Sequence, residues 1–199
     1  MTTVTIDNSP VHSDAIITYP YGVADSGYQC GYHTGLDIAE YGSTPDNPWL
    51  YPVKEGTVVY VNRTTNVSLG VQCQIRDNDG RYWRYCHMVA GSLQVSVGDK
   101  VSYNTKIGRM GATGNVTGVH LHLEYSSTQA WQCSSFLNPC TALGIPNVDN
   151  TVIKYSGTSP EPPEPEPPTP VEQKKTKFKW ILYSRKLRNR RKRLDKFRY

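Results

Sequence analysis

The chain has 199 residues, 37% of them hydrophobic, which is enough for one domain with a core but short for two. The net charge of +5 hides a segregation, because residues 1–159 hold 9 Lys/Arg against 12 Asp/Glu whereas residues 171–199 hold 13 against 2. No apolar run approaches the roughly 20 residues that span a bilayer. The first 14 residues lack the basic and apolar regions of a signal peptide, which predicts that this route does not export the chain.

The cysteines limit the redox and metal chemistry that we expect. They are Cys30, Cys73, Cys86, Cys133 and Cys140. An odd number leaves at least one thiol free or paired with another chain. The sequence contains no Cys-X-X-Cys pair, so a cysteine-based zinc site is not expected.

Short strands and turns dominate the predicted elements, and they predict a mainly β fold. A turn-rich opening segment comes first, and strands, a glycine-rich loop and a short closing element follow it. The predicted strands are 57–61, 71–76, 81–88, a strand and turn at 93–101, and 119–125; the glycine-rich loop is 106–118, and a turn or short helix covers 136–146.

A hairpin is predicted where residues Asp79 and Gly80 separate two of these strands, since Asp-Gly favours a two-residue turn. Counting outward from that turn places Cys73 opposite Cys86. The pair then forms either a cross-strand disulfide or two packed thiols.

The C-terminal part has a different composition. Residues 160–170 contain seven prolines and three glutamates, which predicts an extended polyproline II linker without a core. Residues 177–199 are rich in Lys and Arg with interspersed apolar residues, which predicts a basic helix.

Four of the five histidines occur in informative contexts. His33 precedes Asp37 by four residues, His87 ends a predicted strand, and His120 and His122 flank one leucine. Alternate residues of a strand project to the same face. The imidazoles of His120 and His122 therefore point the same way, and the residues expected on the opposite, core side are Val119, Leu121 and Leu123. The fifth histidine, His12, fits no motif and is interpreted as a surface residue.

These residue types suit a catalytic zinc site. Such a site takes three nitrogen or oxygen ligands from the protein and keeps one position open. His33, Asp37 and either His120 or His122 supply that set. The remaining histidines are then free for proton transfer beside the metal.

Several ordered motifs extend this interpretation. They are His-Thr-Gly-Leu-Asp-Ile-Ala at 33–39, Pro-Val-Lys-Glu-Gly-Thr-Val-Val at 52–59, Arg-Tyr-Cys-His-Met at 84–88, Val-Ser-Val-Gly-Asp-Lys-Val at 95–101, Ile-Gly-Arg-Met-Gly-Ala-Thr-Gly at 107–114, His-Leu-His-Leu-Glu at 120–124 and Asn-Pro-Cys-Thr-Ala-Leu-Gly at 138–144. In this order they resemble the lysostaphin/LytM-type zinc metalloendopeptidases, over about residues 17–146.

The resemblance implies a role for each matching residue. His33, Asp37 and His122 would be the ligands of one Zn²⁺ per chain. His120 and His87 would be the catalytic histidines, which activate the attacking water and stabilise the oxyanion on the scissile carbonyl.

Three further points concern residues near these motifs. The family places a tyrosine near the oxyanion, and either Tyr28 or Tyr32 could correspond to it. Cys86 stands where the family has a small residue, and its strand position points it away from His87. Cys30, three residues before His33, is interpreted as a structural thiol rather than a ligand.

The resemblance also implies a fold and a substrate class. The expected fold is a mostly antiparallel sheet under a groove that binds an extended peptide. Four loops would wall the groove, namely 41–50, 62–70, 88–93 and 125–135. The expected substrates are cross-bridges or stem peptides of bacterial peptidoglycan, and the loops do not indicate which bond is cut.

The predicted organisation is a zinc metalloendopeptidase domain at 1–155, a Pro/Glu-rich linker at 156–172 and a basic tail at 173–199. The resemblance favours a phage lysin or tail-associated enzyme, which acts from the virion or after release to the host cell wall. The tail is expected to bind other virion proteins, or an anionic wall or membrane surface, rather than a specific nucleic acid. The alternatives are a catalytically inactive binding module and a structural virion protein.

Overall fold

The computed structural model describes residues 1–42 and 47–157. The predicted proline-rich linker at 160–170 and the basic tail at 173–199 lie outside these residues. Within the described residues no helix is long and apolar enough to cross a membrane.

Most described elements are strands of one sheet, as predicted. They are β1 Thr3–Ile6, β2 Ala15–Tyr19, β3 Leu36–Glu40, β4 Trp49–Leu50, β5 Gly56–Asn62, β6 Val71–Asp77, β7 Tyr82–Met88, β8 Lys100–Val101, β9 Gly108–Arg109, β10 Leu121–Ser126, β11 Phe136–Leu137 and β12 Val152–Tyr155, with one helix, α1 Pro139–Leu143. The large sheet has the order β1-β12-β2-β3-β10-β7-β6-β5-β8, β11 pairs with β10, and β4 pairs with β9. All pairs in it are antiparallel except β1 with β12.

The central strands β3, β10 and β7 carry the candidate site on one face and the core on the other. Leu121 and Leu123 of β10 are fully buried, as their alternation with the histidines predicts. Val119 is instead 40% exposed, because β10 begins only at Leu121.

The hairpin between β6 and β7 differs from its prediction by one residue. Asp77 and Arg81 close a three-residue loop, in which Gly80 has φ 79°. The register therefore pairs Cys73 with Tyr85 rather than with Cys86, since one residue of slip moves a side chain to the other face. Both thiols are free and buried, so the disulfide alternative was wrong.

The strand predicted at 93–101 is mostly irregular, and only Lys100–Val101 pairs. Two carbonyls of this segment accept hydrogen bonds from a side chain instead of from a neighbouring strand. The guanidinium of Arg63 donates to the carbonyls of Leu93 and Val95 at 3.0 and 2.9 Å. The predicted closing element forms a short helix, α1, with Asn138 as its N-cap.

His12 is not a free surface residue, which corrects its interpretation. Its ring stacks between Tyr51 and Tyr155, with centroids 3.6 and 4.0 Å away and nearly parallel planes. Burial lowers the pKa of His12.

Candidate metal centre

Strands β3 and β10 bring the proposed ligand types together through their register. Asp37 and His122 are direct cross-strand partners, so their side chains leave the sheet on the same face. His33 lies just before β3. Asp37 Oδ1 lies 2.8 Å from His122 Nδ1 and 3.2 Å from His33 Nε2, and the two nitrogens are 3.1 Å apart.

These donor atoms fit a metal ion. Two imidazole nitrogens and a carboxylate oxygen form a typical catalytic zinc set, and tetrahedral bonds of about 2.0 Å place ligands roughly 3.3 Å apart. The observed separations of 2.8–3.2 Å lie close to that spacing. His33, Asp37 and His122 are thus brought together as the sequence predicts, and they could hold a metal.

The charged groups of the cluster shift one another's pKa values. Burial alone would raise the pKa of Asp37, but hydrogen bonds from His122 and His33 hold it well below its usual range. Burial alone would lower the pKa of His122, but the carboxylates of Asp37 and Glu124 raise it to about 9. A proton on His122 therefore occupies the position in which a cation would replace it.

Neighbouring groups fix the orientation of the His33 and His122 rings. The Nδ1 of His33 lies 2.8 Å from the carbonyl of Pro20, to which it can donate a proton while Nε2 faces Asp37. Gly35 lies so close to the His122 ring that a Cβ at this position would come within 2.7 Å of two ring atoms. The glycine of the His-Thr-Gly-Leu-Asp motif thus makes room for the imidazole of His122 from the other strand.

The predicted catalytic histidines lie beside this cluster. The Nδ1 atoms of His87 and His120 lie 2.8 and 2.9 Å from the carbonyls of Thr113 and Gly118. If each Nδ1 carries the proton, each Nε2 presents a lone pair, and Nε2 of His120 is 3.8 Å from Asp37 Oδ1. The two rings are 5.0 Å apart. Burial and the neighbouring histidines lower the pKa of His87 to about 4, so it is neutral at pH 7.

His87 is held in an uncommon backbone conformation, with φ 61°. Its N–H donates to the carbonyl of Leu69, and its own carbonyl accepts from Thr113. Gly114 allows the supporting loops to meet, since a Cβ there would lie 2.3 Å from the carbonyl oxygen of Ser68. Strained backbone that neighbours hold in place is common at functional sites.

The structure separates the two tyrosine candidates. The ring of Tyr28 lies 5.1 Å from His33 and 6.4 Å from His122, whereas the hydroxyl of Tyr32 donates to the Cys133 carbonyl outside the cluster. Burial and the charge of Asp37 raise the pKa of Tyr28, so its hydroxyl stays protonated.

A groove of about 790 Å³ opens above these residues. One side, here called the wall, consists of loops 24–32 and 127–135, which a disulfide between Cys30 and Cys133 joins. Trp131 of the wall packs over Arg84, 4.1 Å from its guanidinium carbon. The opposite side includes Ser68, Leu69, Asn115 and Val116.

Several of these features were not predicted from the sequence. Cys30 is oxidised in a disulfide with Cys133 instead of being a free thiol, although both Cys30 and Cys86 lie outside the candidate cluster, as predicted. Glu124 is 1% exposed and close to His122. The sequence did indicate the position of Glu124, because it continues the alternation of His120 and His122 and so projects to the same face of the strand.

The chain is similar in sequence and fold to known proteins. The model of Peptidase family M23 matches residues 31–133, just over half of the chain, including all of the cluster and both flanking histidines. The chain belongs to Peptidase family M23. Its fold agrees, since the catalytic domain of the antimicrobial peptidase lysostaphin from Staphylococcus simulans superposes with a TM-score of 0.54 and 27% identity, over 67% of this chain and 92% of that domain.

The chain matches only a small part of two curated relatives. Endolysin 2638A of Staphylococcus phage 2638A is 37% identical over 97 residues, which are 47% of this chain and 19% of the endolysin. The glycyl-glycine endopeptidase ALE-1 of Staphylococcus capitis is 33% identical over 108 residues, 53% of this chain and 28% of ALE-1. The chain thus spans between about a fifth and somewhat more than a quarter of the length of these relatives.

Proposed function

We propose that this chain is a zinc-dependent endopeptidase that hydrolyses peptide bonds of bacterial peptidoglycan, in cross-bridges or stem peptides. The observation that carries the proposal is the set of three donor atoms within 4.8 Å of one another, flanked by two histidines at the floor of a groove. Such a set can hold a metal and also move protons, which is what amide hydrolysis requires.

His33, Asp37 and His122 would hold the zinc through Nε2, Oδ1 and Nδ1. When bound, zinc polarises the scissile carbonyl and lowers the pKa of water to about 7. Asp37 supplies the negative charge that a cation needs in this buried place, and the carbonyl of Pro20 keeps the His33 ring turned toward it.

His120 and His87 would carry the proton transfers. A neutral imidazole with its proton on Nδ1 can accept a proton at Nε2 from the attacking water and deliver it to the departing amine. Tyr28, which keeps its hydroxyl proton, can donate a hydrogen bond to the oxyanion that develops on the substrate.

The groove and the relatives support a wall peptide as the substrate. An open groove over one face of the central strands fits an extended chain better than a small compact ligand. The names of the relatives include an endolysin and a glycyl-glycine endopeptidase. We place the domain at 1–155, the linker at 156–172 and the tail at 173–199.

A phage origin and action at the host cell wall, from the virion tail or after release, complete the proposal. It is supported by the likeness to a phage endolysin. The tail would then bind other virion proteins or an anionic wall or membrane surface, because residues 173–199 hold 13 Lys/Arg and one acidic residue, Asp195.

The test is to incubate the full chain with purified walls of several cross-bridge types and to identify the released fragments by mass spectrometry. We expect new peptide termini at one bond type, loss of release with a chelator and recovery with Zn²⁺. Fragment release that persists after complete metal removal would contradict zinc dependence. Binding of one zinc per chain without cleavage of any wall would contradict the proposed peptidase activity.

A variant of a flanking histidine tests the division of roles. His120→Ala should retain zinc but lose about 10²–10⁴-fold in kcat/KM, the range that general acid–base catalysis supplies. Loss of zinc in this variant would instead identify His120 as a ligand.

A further inference from the structure

We infer that Glu124 is a positioning residue that holds the His122 ring with its Nδ1 turned to the metal, and that Thr34 and Arg84 hold Glu124 in turn. The inference rests on the proposed function, because it takes His33, Asp37 and His122 as the ligand set. Glu124 itself lies outside that set, with the His122 ring between its carboxylate and Asp37.

The contacts of Glu124 support this role. Oε1 lies 3.2 Å from Nε2 of His122 and accepts a hydrogen bond of 2.7 Å from the hydroxyl of Thr34. Oε2 pairs with the guanidinium of Arg84. Both oxygens therefore have partners, although the residue is only 1% exposed.

The remaining ring nitrogen of His122 needs such a group. Nδ1 lies among the ligand atoms, so Nε2 must carry the proton when Nδ1 binds a metal. Nε2 is buried and makes no well-angled hydrogen bond in the structure. The carboxylate at 3.2 Å is within the reach of a small ring rotation, and it would accept that proton.

A purely structural ion pair explains these facts less well. A buried Arg–carboxylate pair contributes little net stability, because desolvation offsets its attraction. Arg84 could satisfy one carboxylate oxygen, but it does not account for the placement of the other beside a ligand ring. The arrangement also connects the metal centre to the wall, since Arg84 packs against Trp131.

The test is the zinc dissociation constant of the full chain, measured by competition with a chromophoric chelator. Glu124→Gln should weaken zinc binding by about 10–100-fold, as is usual when the outer partner of a ligating histidine is changed. Thr34→Val, which removes one donor to Glu124, should weaken it less. It also provides a result if Glu124→Gln does not fold.

Asp77→Asn is the matched control. Asp77 is a buried carboxylate on the same sheet, and it accepts a hydrogen bond from the indole of Trp83. It lies at the hairpin end of β6, whereas His87 lies near the opposite end of β7. Its variant should bind zinc as the wild type does. A ¹⁵N spectrum of the zinc-loaded wild type should show the His122 proton on Nε2, with a shift that changes in Glu124→Gln.

The outcomes separate the inference from the proposed function. If the wild type binds no zinc, the proposed function fails. If the wild type binds one zinc and folded Glu124→Gln and Thr34→Val bind it equally tightly, the inference is overturned while the function stands. Equal weakening in Asp77→Asn would also overturn it, because the effect would then be one of general destabilisation.

Discussion

The floor of the groove and its wall are built by different means. The floor takes Asp37 and His122 from paired strands, and each of its rings has a polar partner on the side away from the cluster. The wall consists of two loops joined by Cys30–Cys133 and by a few side-chain contacts. The difference suggests that the sheet fixes the reacting groups while the loops shape what reaches them, as rigid scaffolds with functional loops commonly do.

The largest expected effect, on zinc binding, comes from removing a carboxylate from the floor of the groove. Asp37→Asn should weaken zinc binding by more than about a hundredfold, since losing a ligand charge exceeds the 10–100-fold effect of an outer partner. Wall-cleaving activity should fall with zinc occupancy. The measurement is chelator competition together with fragment release, and Asp77→Asn is the control that replaces another buried carboxylate without touching the cluster. Equal zinc affinity in Asp37→Asn and the wild type would remove Asp37 from the ligand set.

Opening the wall should have a different signature. The disulfide closes a loop of 103 residues, so the Cys30→Ser/Cys133→Ser double variant should lose about 2–5 kcal/mol in the free energy of unfolding. Zinc affinity should stay near that of the wild type, because no ligand belongs to the bridge. Denaturant unfolding and chelator competition check the two parts. A loss of zinc affinity as large as that of Asp37→Asn would show that the wall and the floor are not independent.

A smaller change to the wall should affect substrate more than fold. Trp131→Ala removes the stack on Arg84 and the hydrogen bond from its indole to Gln74. Arg84 is only 12% exposed, and cation–π contacts contribute from about 0.5 kcal/mol when exposed to about 2 kcal/mol when desolvated. Stability should therefore fall by less than the disulfide contributes, while KM for wall fragments rises severalfold. Steady-state kinetics on a purified fragment check this. An unchanged KM would place the substrate away from the wall.

The smallest effect concerns a ring outside both regions. His12, between two tyrosines, has a pKa lowered by burial, in contrast to His122 with its carboxylates. Because the pKa of His12 is lower in the folded than in the unfolded chain, neutral His12 contributes fully to the free energy of unfolding above the unfolded pKa of about 6.5. That stability is lost as the pH falls below it.

His12→Phe keeps the stack and removes this titration. In metal-free protein, the loss of unfolding free energy between pH 7.5 and pH 5 should therefore be smaller in the variant than in the wild type. Denaturant unfolding at the two pH values measures it. An identical pH dependence would show that His12 does not contribute.

The floor was largely predictable from the sequence, whereas the wall was predictable only in part, since the resemblance implied the loop at 125–135 but not the loop at 24–32 or the bridge between them. Strand alternation placed His120 and His122 together, and the family motifs selected His33, Asp37 and His122, which the fold brings within bonding reach. Cys30 and Cys133 are 103 residues apart, and no local pattern indicates which distant cysteines meet. Local rules also failed where one residue decides the register, as at Gly80, and where the Arg63 side chain replaces a strand.

The most direct test of the central claim is a crystal structure of the zinc-loaded chain with anomalous scattering measured at the zinc edge. The account predicts one zinc site bonded to His33 Nε2, Asp37 Oδ1 and His122 Nδ1, with His87 and His120 beside it and unbonded. A zinc ion held elsewhere, or one bonded to His87 or His120 in place of a member of this set, would contradict it.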